Sequence, residues 1–109
     1  MEKFVEYTYL YDFYGELLTE HQRQIYEAVV FDDLSLAEAA EQENISRQAV
    51  HDIIKRCNAS LEDYEKKLHL VERFMDLKKK VDDIKKLSSE KNIDRNEIIK
   101  IADEILEEL

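Results

Sequence analysis

The chain of 109 residues has no proline, no tryptophan, a single glycine and a single cysteine. Proline and glycine are the residues that most often interrupt helices, so their near absence predicts an all-α protein. One cysteine cannot form an internal disulfide, which fits a reducing cytoplasm. With one glycine, the chain also cannot build a glycine-rich phosphate-binding loop.

Long apolar runs are missing as well. No stretch approaches the ~20 apolar residues of a membrane span, and the N-terminus lacks the pattern of a signal peptide. We therefore expect a cytoplasmic protein without membrane insertion. The three histidines, His21, His51 and His69, lie on different predicted helices, and neither they nor Cys57 have metal-ligand spacing. The sequence predicts no enzyme activity, no metal and no other cofactor.

The charge of the chain is unevenly distributed. The net charge is −10, and residues 1–45 hold 2 basic and 11 acidic side chains. Residues 46–61 hold 3 basic and 1 acidic side chain, so they are the most basic part of an acidic protein. Phosphate neutralisation supplies much of the affinity of DNA-binding proteins. The sequence therefore predicts that any DNA contact is local and weak.

Residues 35–57 have the pattern of a helix-turn-helix, two capped helices joined by a short turn. Ser35 with Glu38 predicts a capping box at the start of the first helix. Asn44 suits a turn that needs a left-handed backbone, and Ser46 caps the second helix. The positions with a structural role are Ser35, Ala40, Asn44, Ser46, Val50 and Ile53.

Upstream of this motif, Thr19 predicts another capped helix that runs to Phe31 and places Tyr26 near a rim. In this order, the segments resemble region 4 of bacterial sigma factors. They resemble more closely the YlxM family, DNA-binding proteins of the bacterial signal recognition particle operon. The closer match rests on Tyr-Leu-Tyr-Asp-Phe-Tyr at 9–14, Ser-Arg-Gln-Ala-Val at 46–50 and Glu-Asp-Tyr-Glu-Lys-Lys-Leu at 62–68.

The resemblance implies a DNA-binding regulator linked to the signal recognition particle pathway. The side chains expected to read bases are Arg47, Gln48, His51 and Asp52. Those expected to contact phosphates are Arg23, Lys55 and Arg56. An alternative is a protein-interaction module of that pathway without DNA binding, which the net charge of −10 favours.

Two positions depart from the family pattern. Glu43 stands where such turns usually bury a leucine or phenylalanine, and Ala39 where a larger aliphatic residue is usual. Because a buried unpaired carboxylate is costly, we expect Glu43 to point outward.

The helix predicted for Phe4–Tyr14 has aromatic residues on two stripes. Its neighbours are acidic, so we expect these rings to pack in a core or an interface rather than stack on bases. Gly15 is expected to end this helix in a left-handed conformation.

After the motif, Ser60 predicts the start of a further helix, whose apolar seam continues to Leu87. Asp94 with Glu97 predicts a capping box for a last helix, which can pack in cis or in trans. We expect residues 1–58 to form a helical domain and 59–109 a packing or dimerisation element of the same domain. The apolar stripes predict a homodimer.

Overall fold

The computed structural model describes residues 2–109, and within them the chain has six α-helices and no β-strand. They are α1 (Lys3–Tyr14), α2 (Glu20–Tyr26), α3 (Leu36–Glu43), α4 (Arg47–Leu68), α5 (Leu70–Ser88) and α6 (Arg95–Glu108). This confirms the all-α prediction. A bilayer could not be crossed by any helix in this part of the chain, since none combines sufficient length with sufficient apolarity.

The chain divides into two compact units, the first ending at Leu68 and the second beginning at His69. This division lies later than the one after residue 58 that the sequence led us to expect. Helix α4 runs through Ser60, so the prediction that Ser60 starts a helix was wrong. A seam continuous to Leu87 was also wrong, because His69 adopts a left-handed conformation (φ 55°) and separates α4 from α5.

One part of the core of the first unit is built from aliphatic side chains of α2, α3 and α4. Ile25, Ala39, Ala40 and Val50 form a buried cluster. Ala39 and Ala40 have small side chains, which allows α3 to pack closely against α4. The departure at Ala39 is therefore accommodated by close packing, with Ala39 only 1% exposed.

Two capping boxes begin the helices that lead into this core. At α2, the Thr19 hydroxyl accepts from the Gln22 amide, and the Gln22 side chain accepts from the Thr19 amide. Ser35 and Glu38 make the same reciprocal pair at α3. Each pair satisfies backbone donors that a helix start leaves open. The helix cap predicted at Thr19 and the capping box predicted at Ser35 are confirmed.

The end of the second predicted helix differs from a regular α-helix. After Tyr26 the chain forms one π-helical segment, Glu27–Phe31. Tyr26 is fully buried, so its predicted rim position was wrong. Its ring stacks on Tyr11 at 5.3 Å between centroids, and its hydroxyl donates to Asn58 of α4 at 2.6 Å.

Helix α1 packs against α4 through tyrosines. Tyr14 is buried and donates to Glu65, and Tyr7 donates to Glu62. Packing was the expected role of these rings. Gly15 ends α1 in a right-handed conformation (φ −56°), so the left-handed prediction was wrong. A Cβ at Gly15 would lie 2.9 Å from Cε2 of Tyr11, so the ring leaves no room for a side chain.

The second unit is a helical hairpin in which α6 packs on α5 of the same chain. Asp94 caps α6 by accepting from the Glu97 amide at 3.1 Å, which is one of the two bonds of the predicted capping box. Lys80 of α5 bonds Glu108 of α6, and it also pairs with Asp76 at 3.1 Å. Within this chain, α6 therefore packs in cis on α5.

Candidate nucleic-acid interface

The turn of the motif joins α3 to α4 with a fixed geometry. Asn44 has φ 55° and ψ 45°, the left-handed conformation predicted from the sequence. The Ile45 amide donates to the Ala40 carbonyl at 3.0 Å, and the Asn44 amide donates to Glu41. This pattern ends a helix and turns the chain sharply. The Ser46 hydroxyl then accepts from the Ala49 amide at 3.0 Å, as expected of a helix cap.

The inner side of α4 holds the motif in place. Val50 is fully buried, and Ile45, Ile53 and Ile54 pack around the same cluster. Cys57, one turn further, is also fully buried, and burial raises the pKa of its thiol. A thiol held in its neutral form packs as a small apolar group. This side of α4 therefore anchors the helix.

The outer side of α4 begins with the four residues that were expected to read bases. Arg47, Gln48, His51 and Asp52 are all exposed. The Gln48 side-chain amide donates to Asp52 Oδ1 at 3.0 Å. Nδ1 of His51 lies 3.8 Å from the same oxygen. Asp52 thus restrains Gln48 and lies beside His51, a relation that the sequence did not reveal.

Lys55 and Arg56 extend this surface by one turn. Both are exposed, and with Asp52 and Ala59 they line a shallow groove on α4. Arg23 lies elsewhere, on α2, where the neighbouring Tyr11 hydroxyl raises the pKa of its guanidinium. Its Nε atom is buried. The structure therefore brings six of the seven expected DNA-contacting residues onto one helix, and Arg23 is not among them.

Glu43 does not point freely outward, so that expectation needs correction. Its carboxylate lies 3.3 Å from Nε2 of His21 on α2, and its side chain is 27% exposed. A polar residue at this corner gains a partner that a leucine would lack. This corner is thus a contact between α2 and the end of α3.

The arrangement suits contact with a double helix in three respects. Arg47 is the first residue of α4, and recognition helices contact base edges with their N-terminal residues. Arg47, His51 and Lys55 recur every four residues, so they lie along one stripe of the helix. The amides at this end of α4 also carry a partial positive charge, which favours phosphate groups nearby.

Comparison with known proteins finds one family across nearly the whole chain. Residues 1–105 match the profile of UPF0122, described as "Putative helix-turn-helix protein, YlxM / p13 like". A UPF0122 protein of Thermoanaerobacter sp. (strain X514) is 46% identical over 111 residues, which cover 99% of this chain and 94% of the relative. A UPF0122 protein of Bacillus cereus (strain AH187) is 45% identical over 105 residues, 96% of each chain.

Proposed function

Because the chain belongs to the UPF0122 family of YlxM/p13-like helix-turn-helix proteins, as its sequence resemblance predicted, we propose that it is a DNA-binding regulator. In this proposal it acts as a homodimer, and each copy inserts the start of α4 into a major groove in the manner of sigma-factor region 4. The observation that carries the proposal is the two-sided construction of α4. Its inner side is anchored by Val50, and its outer side presents four polar side chains within six residues.

Arg47 has the leading role in reading bases. It begins α4 and is exposed, and an arginine can pair with both acceptors of guanine in the major groove. His51 lies one turn further along the same stripe and can donate or accept, according to its tautomer.

Gln48 is suited to adenine. One amide N–H is held by Asp52 at 3.0 Å, so the orientation of the side-chain amide is restricted before DNA arrives. The second N–H and the carbonyl oxygen stay available, and these two groups together match the N7 and N6 positions of adenine. In this account Asp52 orients Gln48, and its negative charge disfavours phosphates at that position.

Lys55 and Arg56 contribute to affinity through phosphates. The protein as a whole is acidic, with a net charge of −10, so distant parts of the chain repel DNA. Only the local positive surface favours binding. We therefore expect one copy to bind weakly, with a strong dependence on salt. Two copies on a two-fold site double the contact, which is the reason that the proposal includes a dimer.

The second candidate is a protein-interaction module linked to the signal recognition particle pathway, without DNA binding. Its support is the acidic character of residues 1–45, with 11 acidic and 2 basic side chains. The two candidates differ in one measurable respect, because only DNA binding releases counterions from phosphates.

The test is binding of the purified chain to random duplex DNA and to duplexes selected by repeated enrichment, each at several salt concentrations. The proposal predicts an enriched sequence and an affinity that falls steeply as salt rises. Lys55→Ala should lower the slope of log affinity against log salt by about one unit for each copy bound. No binding at low salt and no enrichment would refute the proposal and favour the interaction module.

A further inference from the structure

The hairpin of α5 and α6 has more apolar surface than its two helices cover. Val81 on α5 is 47% exposed, and Ile99 and Leu106 on α6 are 57% and 67% exposed. By contrast, Ile101 is only 8% exposed. Two helices form one layer, and an apolar stripe on a layer needs a second layer to cover it.

These exposed side chains lie on one side of the hairpin. At ~100° per residue, Val81 lies ~100° round α5 from Lys80, which bonds α6. Leu106 lies ~140° round α6 from the buried Ile101. Both angles are measured in the direction from the N-terminus to the C-terminus, and the two helices run antiparallel to each other. On antiparallel helices that face each other, such rotations bring the side chains to the same side of the hairpin. The exposed stripes of α5 and α6 therefore form one continuous face.

The two helices carry opposite net charge. Helix α5 has 6 basic and 4 acidic side chains, whereas α6 has 2 basic and 5 acidic side chains. A second copy that placed α5 on α5 would bring like charges together. A copy that placed α5 on α6 would bring opposite charges together, at both contacts of a two-fold pair.

We propose that this face binds the same face of a second copy, so that α5 of each chain lies antiparallel to α6 of the other in a four-helix bundle. A two-fold axis parallel to the helices gives this arrangement. The inference rests on the dimer of the proposed function and identifies the surface that forms it. It excludes the exposed apolar residues near the N-terminus, such as Leu17, as the interface.

The pairing of α5 with α6 within each hairpin also determines which residues of the two copies come into contact. Lys80 lies level with Glu108, and antiparallel helices rise ~1.5 Å per residue in opposite directions. Val81 thus lies within one residue, ~1.5 Å, of the level of Leu106, and Lys85 is level with Asp103. A two-fold axis parallel to the helices leaves every residue at the same height along the axis. Val81 therefore contacts the partner's Leu106 at the centre of the interface. Lys85 meets the partner's Asp103 at the rim.

The first test is sedimentation equilibrium of the full chain at micromolar concentration. The parent should have about twice the chain mass of 13.0 kDa. Leu106→Glu should raise the dimer dissociation constant by at least ~100-fold, because the carboxylate would be buried twice in each dimer. The matched control is Leu17→Glu, the same change at a leucine that is 55% exposed in the first unit. It should stay dimeric.

The second test exchanges charges and does not rely on an apolar change. Lys85→Glu alone and Asp103→Lys alone each place like charges at both rim contacts, so each should weaken its own dimer by about 10-fold. In an equal mixture of the two variants, a heterodimer has opposite charges at both rim contacts. The mixture should therefore form heterodimers with an affinity within about threefold of the parent.

The outcomes separate this inference from DNA binding. A monomeric parent, dissociation by Leu17→Glu with Leu106→Glu unaffected, or a mixture that stays as weak as its components would overturn it. Circular dichroism of each variant verifies that helical content is retained. If the dimer behaves as expected while no DNA is bound, the interface stands and only the proposed function fails.

Discussion

Helix α4 is held by two different kinds of contact along its length. Its first turns pack on an apolar cluster of aliphatic side chains, including Ile25 and Val50. Its later turns receive hydrogen bonds from tyrosines of other helices, such as Tyr26 to Asn58 and Tyr14 to Glu65. Apolar burial depends on shape, whereas the tyrosine contacts depend on specific polar partners and their protonation.

The difference has a consequence for function. The apolar cluster leaves Arg47, Gln48, His51 and Asp52 at the start of α4 exposed to solvent, so this end of the helix can contact a ligand. The tyrosine contacts instead use the polar groups of α4 internally. The stability of the start of α4 should therefore respond to side-chain volume, and that of its later turns to hydroxyl groups and alkaline pH.

The largest effect on stability is expected from the apolar cluster. Ile25→Ala should lower the free energy of unfolding by about 2–5 kcal/mol, because Ile25 is fully buried and its removal leaves a cavity. Chemical denaturation measures this change. Ile93→Ala is the matched control, since Ile93 is 54% exposed and should change stability by less than about 0.5 kcal/mol. Equal effects at the two positions would contradict the core assignment.

The tyrosine contacts should respond to loss of a single oxygen. Tyr26→Phe should cost about 1–2 kcal/mol, because the ring stays and the acceptor of Asn58 loses its donor. A double-mutant cycle with Asn58→Ala isolates the pair. The account requires a coupling energy above about 0.5 kcal/mol, and additive effects would exclude a direct contribution of this hydrogen bond.

Gly15 tests the packing at the end of α1. Gly15→Ala should destabilise the chain by about 1 kcal/mol, since the new Cβ would press on a Tyr11 ring that stacks on Tyr26. The same change in a Tyr11→Ala background should be neutral or stabilising, because the obstruction is gone and alanine favours a helical backbone. Destabilisation in both backgrounds would point to the backbone instead.

The smallest effect concerns pH. The hydrogen bond to Glu62 is the main cause that raises the pKa of Tyr7 to about 12 from its ordinary value of 10.0. Because the folded state holds this proton more tightly, its stabilising effect is complete below pH ~10 and is lost as pH rises toward 12. Tyr7→Phe should flatten this alkaline loss of stability in thermal melts between those values. An unchanged slope would contradict the role of this hydroxyl.

Much of the motif could be predicted because its signals are local. The pairs Thr19 with Gln22 and Ser35 with Glu38 lie within one turn, and the backbone of Asn44 follows from its own side chain. The outward face of α4 followed from helical periodicity once the inward positions were assigned.

The remaining features depend on contacts distant in sequence. No proline or glycine marks the break at His69, where a non-glycine residue adopts a left-handed backbone. The position of Arg23 depends on Tyr11 of another helix, and that of Glu43 depends on His21. Helical periodicity cannot identify such partners, since it assigns each residue to a face without placing the helices against each other.

The central claim is that the start of α4 reads DNA sequence, and the most direct measurement compares Arg47→Ala with Lys55→Ala. Affinity for the enriched duplex and for random duplex is measured for both variants and the parent. The account predicts that Arg47→Ala loses about 1–3 kcal/mol on the enriched duplex alone, whereas Lys55→Ala weakens both duplexes equally. If Arg47→Ala keeps the full preference of the parent for the enriched duplex, the start of α4 does not read its sequence.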